Sequence, residues 1–159
     1  MTTEQVQLLV KDLSTRLSYK VKCFIEDDYA TSRDGVLYEI DMSDFSCGFE
    51  DTGVGQGYWY TKVDNVKPYL RPMTSMTEDE AVEYFRLQTH NEYADVTGFK
   101  IDKATLGLKA YVDNVYKWYC WGDISNINCL DWLNKRMFDY RGLIFEELAL
   151  PAPEGMYNF

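Results

Sequence analysis

Val21-Lys22-Cys23-Phe24-Ile25-Glu26 and, further on, Val36-Leu37-Tyr38-Glu39-Ile40-Asp41-Met42 are the stretches whose reading decides the fold. In the first, Val21, Cys23 and Ile25 alternate with Lys22, Phe24 and Glu26, the period of two expected of a half-buried strand. In the second, Val36, Tyr38, Ile40 and Met42 form an apolar set, with Glu39 and Asp41 on the opposite face. Residues 27 to 35 read as a turn-rich loop between these strands, and residues 45 to 49 as a short third strand. A fourth follows Gly53-Val54-Gly55-Gln56-Gly57, over the aromatic and β-branched residues 58 to 63. Connections this short cannot make parallel crossovers, so the strands are expected to form an antiparallel meander. Pro68 and Pro72 are read as its exit, because proline donates no ladder hydrogen bond.

On the N-terminal side, Val6, Leu9, Val10, Leu13 and Leu17 recur at helical spacing, and Thr2 with Gln5 has the spacing of a capping box. A helix is expected over about residues 3 to 16. On the C-terminal side a second helix is expected over about 78 to 90, begun by Thr77 with Glu80 and by three acids in its electropositive first turn. Residues 103 to 121 fit either a helix, through Leu108, Tyr111, Val112 and Val115, or a hairpin about Asp113-Asn114, and the hairpin is preferred. A short helix to about Met137, a further helical turn over residues 143 to 148 and an extended tail complete the chain. The expectation is one α+β domain over residues 1–159. Residues 1–72 would form the helix and an antiparallel sheet of about four to six strands; residues 73–159 would be a helical C-terminal half with an extended tail.

The chain has 159 residues, enough to bury a real core. It carries 26 Asp and Glu against 16 Lys and Arg, a formal charge of −10, together with 8 Phe, 13 Tyr and 4 Trp. That charge repels nucleic-acid phosphate and disfavours a direct nucleic-acid binder. The acidity is concentrated: residues 26 to 51 hold nine acids against Arg33, and residues 78 to 95 hold six against Arg86. Capping accounts for much of the second cluster and for none of the first. No apolar run reaches the ~18 residues of a membrane span, and the start lacks the pattern of a signal peptide. A cytoplasmic protein with reduced thiols is expected; Cys23, Cys47, Cys120 and Cys129 show no metal-ligand spacing, and no metal or cofactor is expected.

Catalytic patterns are missing. Gly53-x-Gly55-x-Gly57 precedes an aromatic strand, whereas a phosphate-binding loop must open a helix. His90, the single histidine, sits near a helix end, where it suits the dipole. The chain is therefore read as non-enzymatic. Glu39 and Asp41 would lie about 7 Å apart on one strand face, two strand rises, with Asp44, Glu50 and Asp51 adjoining. Such a row is either a solvated acidic face or an imitation of a phosphate backbone that occupies the basic groove of a nucleic-acid enzyme.

The strings VKPYLRPMTSMTE (66–78), DWLN (131–134), FDYRGLI (138–144), LAL (148–150) and APEGMY (152–157) resemble a family of small uncharacterised proteins encoded by phages and prophages of anaerobic gut bacteria. The resemblance covers residues 66 to 78 and 130 to 157, with a looser likeness of the first helix. Members commonly carry histidines where this chain has Lys135-Arg136-Met137. It implies a phage or mobile element inside a bacterial cytoplasm and no reaction. Within these strings Tyr69, Arg71, Trp132, Tyr140 and Arg141 could form a ligand or recognition patch, or could dock the C-terminal elements. The expected activity is that of an accessory protein binding a host protein or nucleoprotein, in its sharpest form an acidic inhibitor of a defence or nucleic-acid enzyme. A small-molecule or nucleotide-signal sponge and a virion or assembly component are the alternatives.

Overall fold

The computed structural model describes residues 1–26, 32–51, 57–102, 107–120 and 124–157, with the side chain of Asp51 left aside. It is α+β, and the chain divides into two compact units, residues 1–70 with 142–159, and residues 71–141. Among the described residues no helix is long and apolar enough to cross a membrane.

The first unit opens with α1 (Thr3–Arg16), started by the capping box in which Thr2 accepts from the Gln5 N–H and Gln5 reaches back to the Thr2 N–H. Leu9, Val10 and Leu13 are buried, and so are Asp12 and Arg16. One turn apart, these two form a two-pronged ion pair at 2.7 and 3.0 Å, which satisfies both charges away from water.

The sheet of this unit is built from β1 (Lys22–Glu26), β2 (Ser32–Asp41), β3 (Ser46–Asp51), β4 (Tyr58–Lys62), β5 (Val66–Leu70) and β9 (Leu150–Pro151), in the spatial order β4-β3-β2-β1-β5-β9. The expected meander holds for β1 to β4, but the sheet is mixed, because the C-terminal segment returns and pairs β9 parallel to β5. Two local readings are corrected. Residues 32 to 35 belong to β2 and not to the loop. Pro68 does not end the sheet; it lies within β5, opposite Cys23 of β1. Leu70 accepts from the Ala152 N–H at the β9 edge. Two residues earlier, Pro68 turns its nitrogen to that same edge, so the β1 ladder loses no donor.

A third correction concerns β2. The register shifts between Leu37 and Glu39, so a bulge interrupts the alternation at Tyr38. Leu37 is buried and Ile40 lies opposite buried Cys47. Val36 and Tyr38 therefore do not share the core face with Ile40, and Met42 is 58% exposed.

The tail closes the sheet from within. Beyond the pair Cys23–Pro68, the next residues in register are Lys22 and Tyr69, and the Tyr157 hydroxyl stands between them. It accepts from the Lys22 N–H at 3.1 Å and donates to the Tyr69 carbonyl at 3.0 Å. Lys22 Nζ donates to the Met156 carbonyl at 3.2 Å. Burial pushes the Tyr157 hydroxyl well above its ordinary pKa, so it stays a neutral donor.

The second unit corrects the expected helical C-terminal half. Besides α2 (Glu78–Thr89) and α3 (Ile127–Lys135), it contains an antiparallel sheet, β6 (Val96–Asp102), β7 (Gly107–Val112) and β8 (Val115–Cys120). The preferred hairpin is present. Asp113 and Asn114 both have positive φ, 50° and 64°, the conformation whose twist joins adjacent antiparallel strands, with Val112 opposite Val115. Leu108, Ala110 and Val112 alternate into a core shared with Tyr84 and Phe85 of α2 and Trp132 and Leu133 of α3. Residues 143 to 148 form hydrogen-bonded turns and no helix.

Replacing Tyr157 with Phe should cost about 1–2 kcal/mol, since it leaves Lys22 N–H and Tyr69 C=O without their bridge. Tyr157→Ala should cost about 3 kcal/mol or more through lost packing. Urea unfolding measures both; a Phe variant as stable as the wild type would contradict the bridging role.

Candidate functional site

The bulge at Tyr38 sets the chemistry of the outer face of β2, β3 and β4. Register places Val36, Glu50 and Tyr58 in one row across the strands, Glu39, Gly48 and Tyr60 in the next, and Asp41, Ser46 and Lys62 in the third. Tyr38, the extra residue, joins the middle row. Its ring lies over Gly48, where a Cβ would meet it at 2.9 Å, so only glycine leaves this seat open. The ring makes edge contacts with Tyr58 at 5.0 Å and Tyr60 at 6.1 Å between centroids.

The hydroxyls run in a chain: Tyr38 donates to Tyr60 at 2.5 Å, and Tyr60 donates to Glu39 Oε2 at 2.9 Å. The bonds to Tyr38 and to Glu39 push the Tyr60 hydroxyl far above its ordinary pKa. Tyr58 is 70% and Tyr60 58% exposed, although both rings are held in place from below. Amphipathic aromatics presented rigidly in this way give large contact area at small entropic cost on binding.

Of the five acids singled out in the sequence, Glu39, Asp41 and Glu50 share this face. Asp41 accepts from the Ser43 hydroxyl and N–H, bonds that hold its carboxyl below the usual range. Asp44, in the turn, is engaged by Lys62 at 2.8 Å and by the Ser46 N–H, and is likewise lowered. Asp51 ends β3, with its side chain outside the described residues. Sequence reasoning missed Tyr38, Tyr58, Tyr60 and Gly48. The signal was available in part, since Tyr58, Tyr60 and Lys62 alternate with Trp59 and Thr61.

The second group is divided between the two units. Tyr69 belongs to β5 of the first unit and donates to Asp34 at 2.9 Å; burial first, then that bond, pushes its hydroxyl up to about 12. Within the second unit Arg71 forks onto Glu80 at 2.7 and 2.8 Å and lies over the Phe138 ring. Phe138 stacks on Trp132, and Arg136 lies over Trp132 while also reaching Glu80. Tyr140, buried, donates to Asn134, and Arg141 covers the Tyr140 ring. These residues clasp one another, and Arg71 also aligns the chain through its N–H to Met137 and its carbonyl to Asp139. Burial raises the Glu80 carboxyl, but Arg71, the Thr77 N–H and Arg136 outweigh it and hold the group below its ordinary value.

Elsewhere His90 ends α2 with positive φ and its N–H on the last carbonyls; it lines a groove of about 870 Å³ with Asp79, Arg86 and Tyr93. The centre of the glycine-rich stretch, residues 53 to 56, lies outside the described residues. No cluster of metal-ligating side chains occurs among the described residues. No family model matches the chain, and neither a curated protein nor a solved structure does.

Glu80→Gln should cost about 3 kcal/mol by leaving Arg71 and Arg136 against a neutral amide. Because the folded carboxyl is lowered, the clasp stabilises the fold above the ordinary glutamate pKa of about 4.3, and loses that contribution as pH falls further. Denaturation between pH 3 and 7 should show the wild type losing more stability on acidification than Glu80→Gln. Parallel pH profiles would contradict this.

Proposed function

We propose that the protein acts by binding, as a phage or mobile-element accessory protein that presents the outer face of β2, β3 and β4 to a cationic surface of a host protein or nucleoprotein. One observation carries the reading: three tyrosine rings in edge contact, with Tyr38 seated over Gly48 and the hydroxyls of Tyr38 and Tyr60 running to Glu39, share a solvent-facing surface with Asp41 and Glu50. Ordered rings supply the apolar contact area and the carboxylates supply charge complementarity and steering. Carboxylates at strand spacing beside exposed rings suit a surface evolved to hold a phosphate backbone and bases, which supports inhibition of a nucleic-acid enzyme through its groove.

The test is affinity capture from the host cell with three baits beside the wild type: Glu39→Gln/Asp41→Asn/Glu50→Gln, Tyr58→Ser/Tyr60→Ser, and Glu4→Gln/Glu92→Gln/Glu154→Gln. The third removes as many exposed charges from residues outside β2, β3 and β4. The first two should recover the wild-type partner roughly tenfold less well and the third normally, with binding weakening as salt rises. Equal recovery by all four would overturn the reading.

A further inference from the structure

The same face ends at a strand edge of the sheet. β4 is the outermost strand of its sheet, paired with β3 alone among the described strands. Hydrogen-bonding direction alternates along a strand, and it can be traced across this sheet. The Leu37 N–H donates to Val21, so Leu37 turns its backbone toward β1 and Val36 turns toward Glu50 of β3. Phe49 then turns toward Trp59, and the Val63 N–H, donating to Phe45, fixes the same phase at the far end of β4. Trp59 and Thr61 are therefore the residues bonded to β3. The backbone N–H and C=O groups of Tyr58 and Tyr60 point out of the edge, and the side chains of those two residues stand on the outer face.

Two of the three other edges carry devices that discourage pairing, and the third, β8, has Lys109 opposite its Trp118 where β4 has Glu50 opposite Tyr58. β9 is two residues long and contains Pro151, and β6 is interrupted by a register shift around Gly98, whose φ is 65°. β4 has no proline and no register shift, and its single charged side chain, Lys62, is bonded to Asp44. Open backbone groups, exposed rings and three carboxylates, Glu39, Asp41 and Glu50, thus converge on one strip.

We infer that β4 takes up an extended, arginine-bearing segment of the partner as an additional antiparallel strand. The segment's backbone pairs with Tyr58 and Tyr60, and its arginines lie on the outer face against the rings and the carboxylates. This rests on the reading of the outer face as a binding surface for a cationic partner, and adds the form in which that partner arrives.

A ten-residue capped peptide alternating Arg and Val tests it, with a Glu-for-Arg version and two backbone N-methylated versions, one methylated at the arginines and one at the valines. In antiparallel pairing the residues opposite Tyr58 and Tyr60 share their face and bond to them, so the arginine N–H groups meet β4 and the valine N–H groups point away. Anisotropy titration should show binding of the parent peptide and at least tenfold weaker binding of the Glu version. Methylation at arginine should also weaken binding at least tenfold, and methylation at valine no more than about threefold. Hydrogen exchange should slow at the Tyr58 and Tyr60 amides in the complex. Equal tolerance of both methylation patterns, unprotected amides or no binding of the parent peptide would overturn strand addition. The charged-face reading would still stand or fall on the bait comparison alone. A peptide-free dimer with those two amides protected would assign the edge to a second copy and overturn the proposal as well.

Discussion

The structure of the first unit turns on one inserted residue. If β2 were regular, burying Leu37 would bury Glu39 and Asp41 with it, since side chains two apart share a face. Two carboxylates would then enter a core that already contains the Asp12–Arg16 pair, at a cost of several kcal/mol each. The bulge at Tyr38 removes this conflict: Leu37 stays inside, Ile40 becomes the next inward residue, and Glu39 and Asp41 remain in water. The same insertion turns Tyr38 outward over Gly48, and from that placement follow the hydroxyl chain to Glu39 and the ordered rings of the outer face. Fold and candidate site therefore share a single cause.

The sheet that carries this face is held from the other side by the end of the chain. Tyr157 fills the place of a ladder pair between β1 and β5, and β9 extends the sheet by pairing parallel to β5. Residues far apart in sequence thus complete one unit, whereas residues 71–141 form their own core around a clasp of arginines, rings and Glu80. The aromatic abundance divides in the same way. Trp132, Phe138 and Tyr84 are buried structure, and Tyr58 and Tyr60 are surface.

What the sequence revealed was local. Both long helices were legible because capping boxes at Thr2 and Thr77 and a 3.6-residue period act within a few residues, and the Asp113-Asn114 turn identified its hairpin for the same reason. The bulge escaped because Val36, Tyr38, Ile40 and Met42 alternate well enough to suggest a regular strand. Only pairing with Phe49 and Gly48 shows which face is inside. The parallel return of β9 and the insertion of Tyr157 depend on partners some 80 to 135 residues away and leave no local trace. Of the site, the carboxylate row was legible from i, i+2 spacing; the tyrosines beside it belong to another strand and came into view only with the register.

The most direct measurement is amide chemical-shift mapping on the labelled protein as the captured partner is added. The account predicts that the largest changes fall on Tyr38, Glu39, Gly48, Tyr58 and Tyr60, with the amides of α2 and β6 to β8 unmoved. Changes centred on α2 or β6 to β8, with β4 silent, would contradict it.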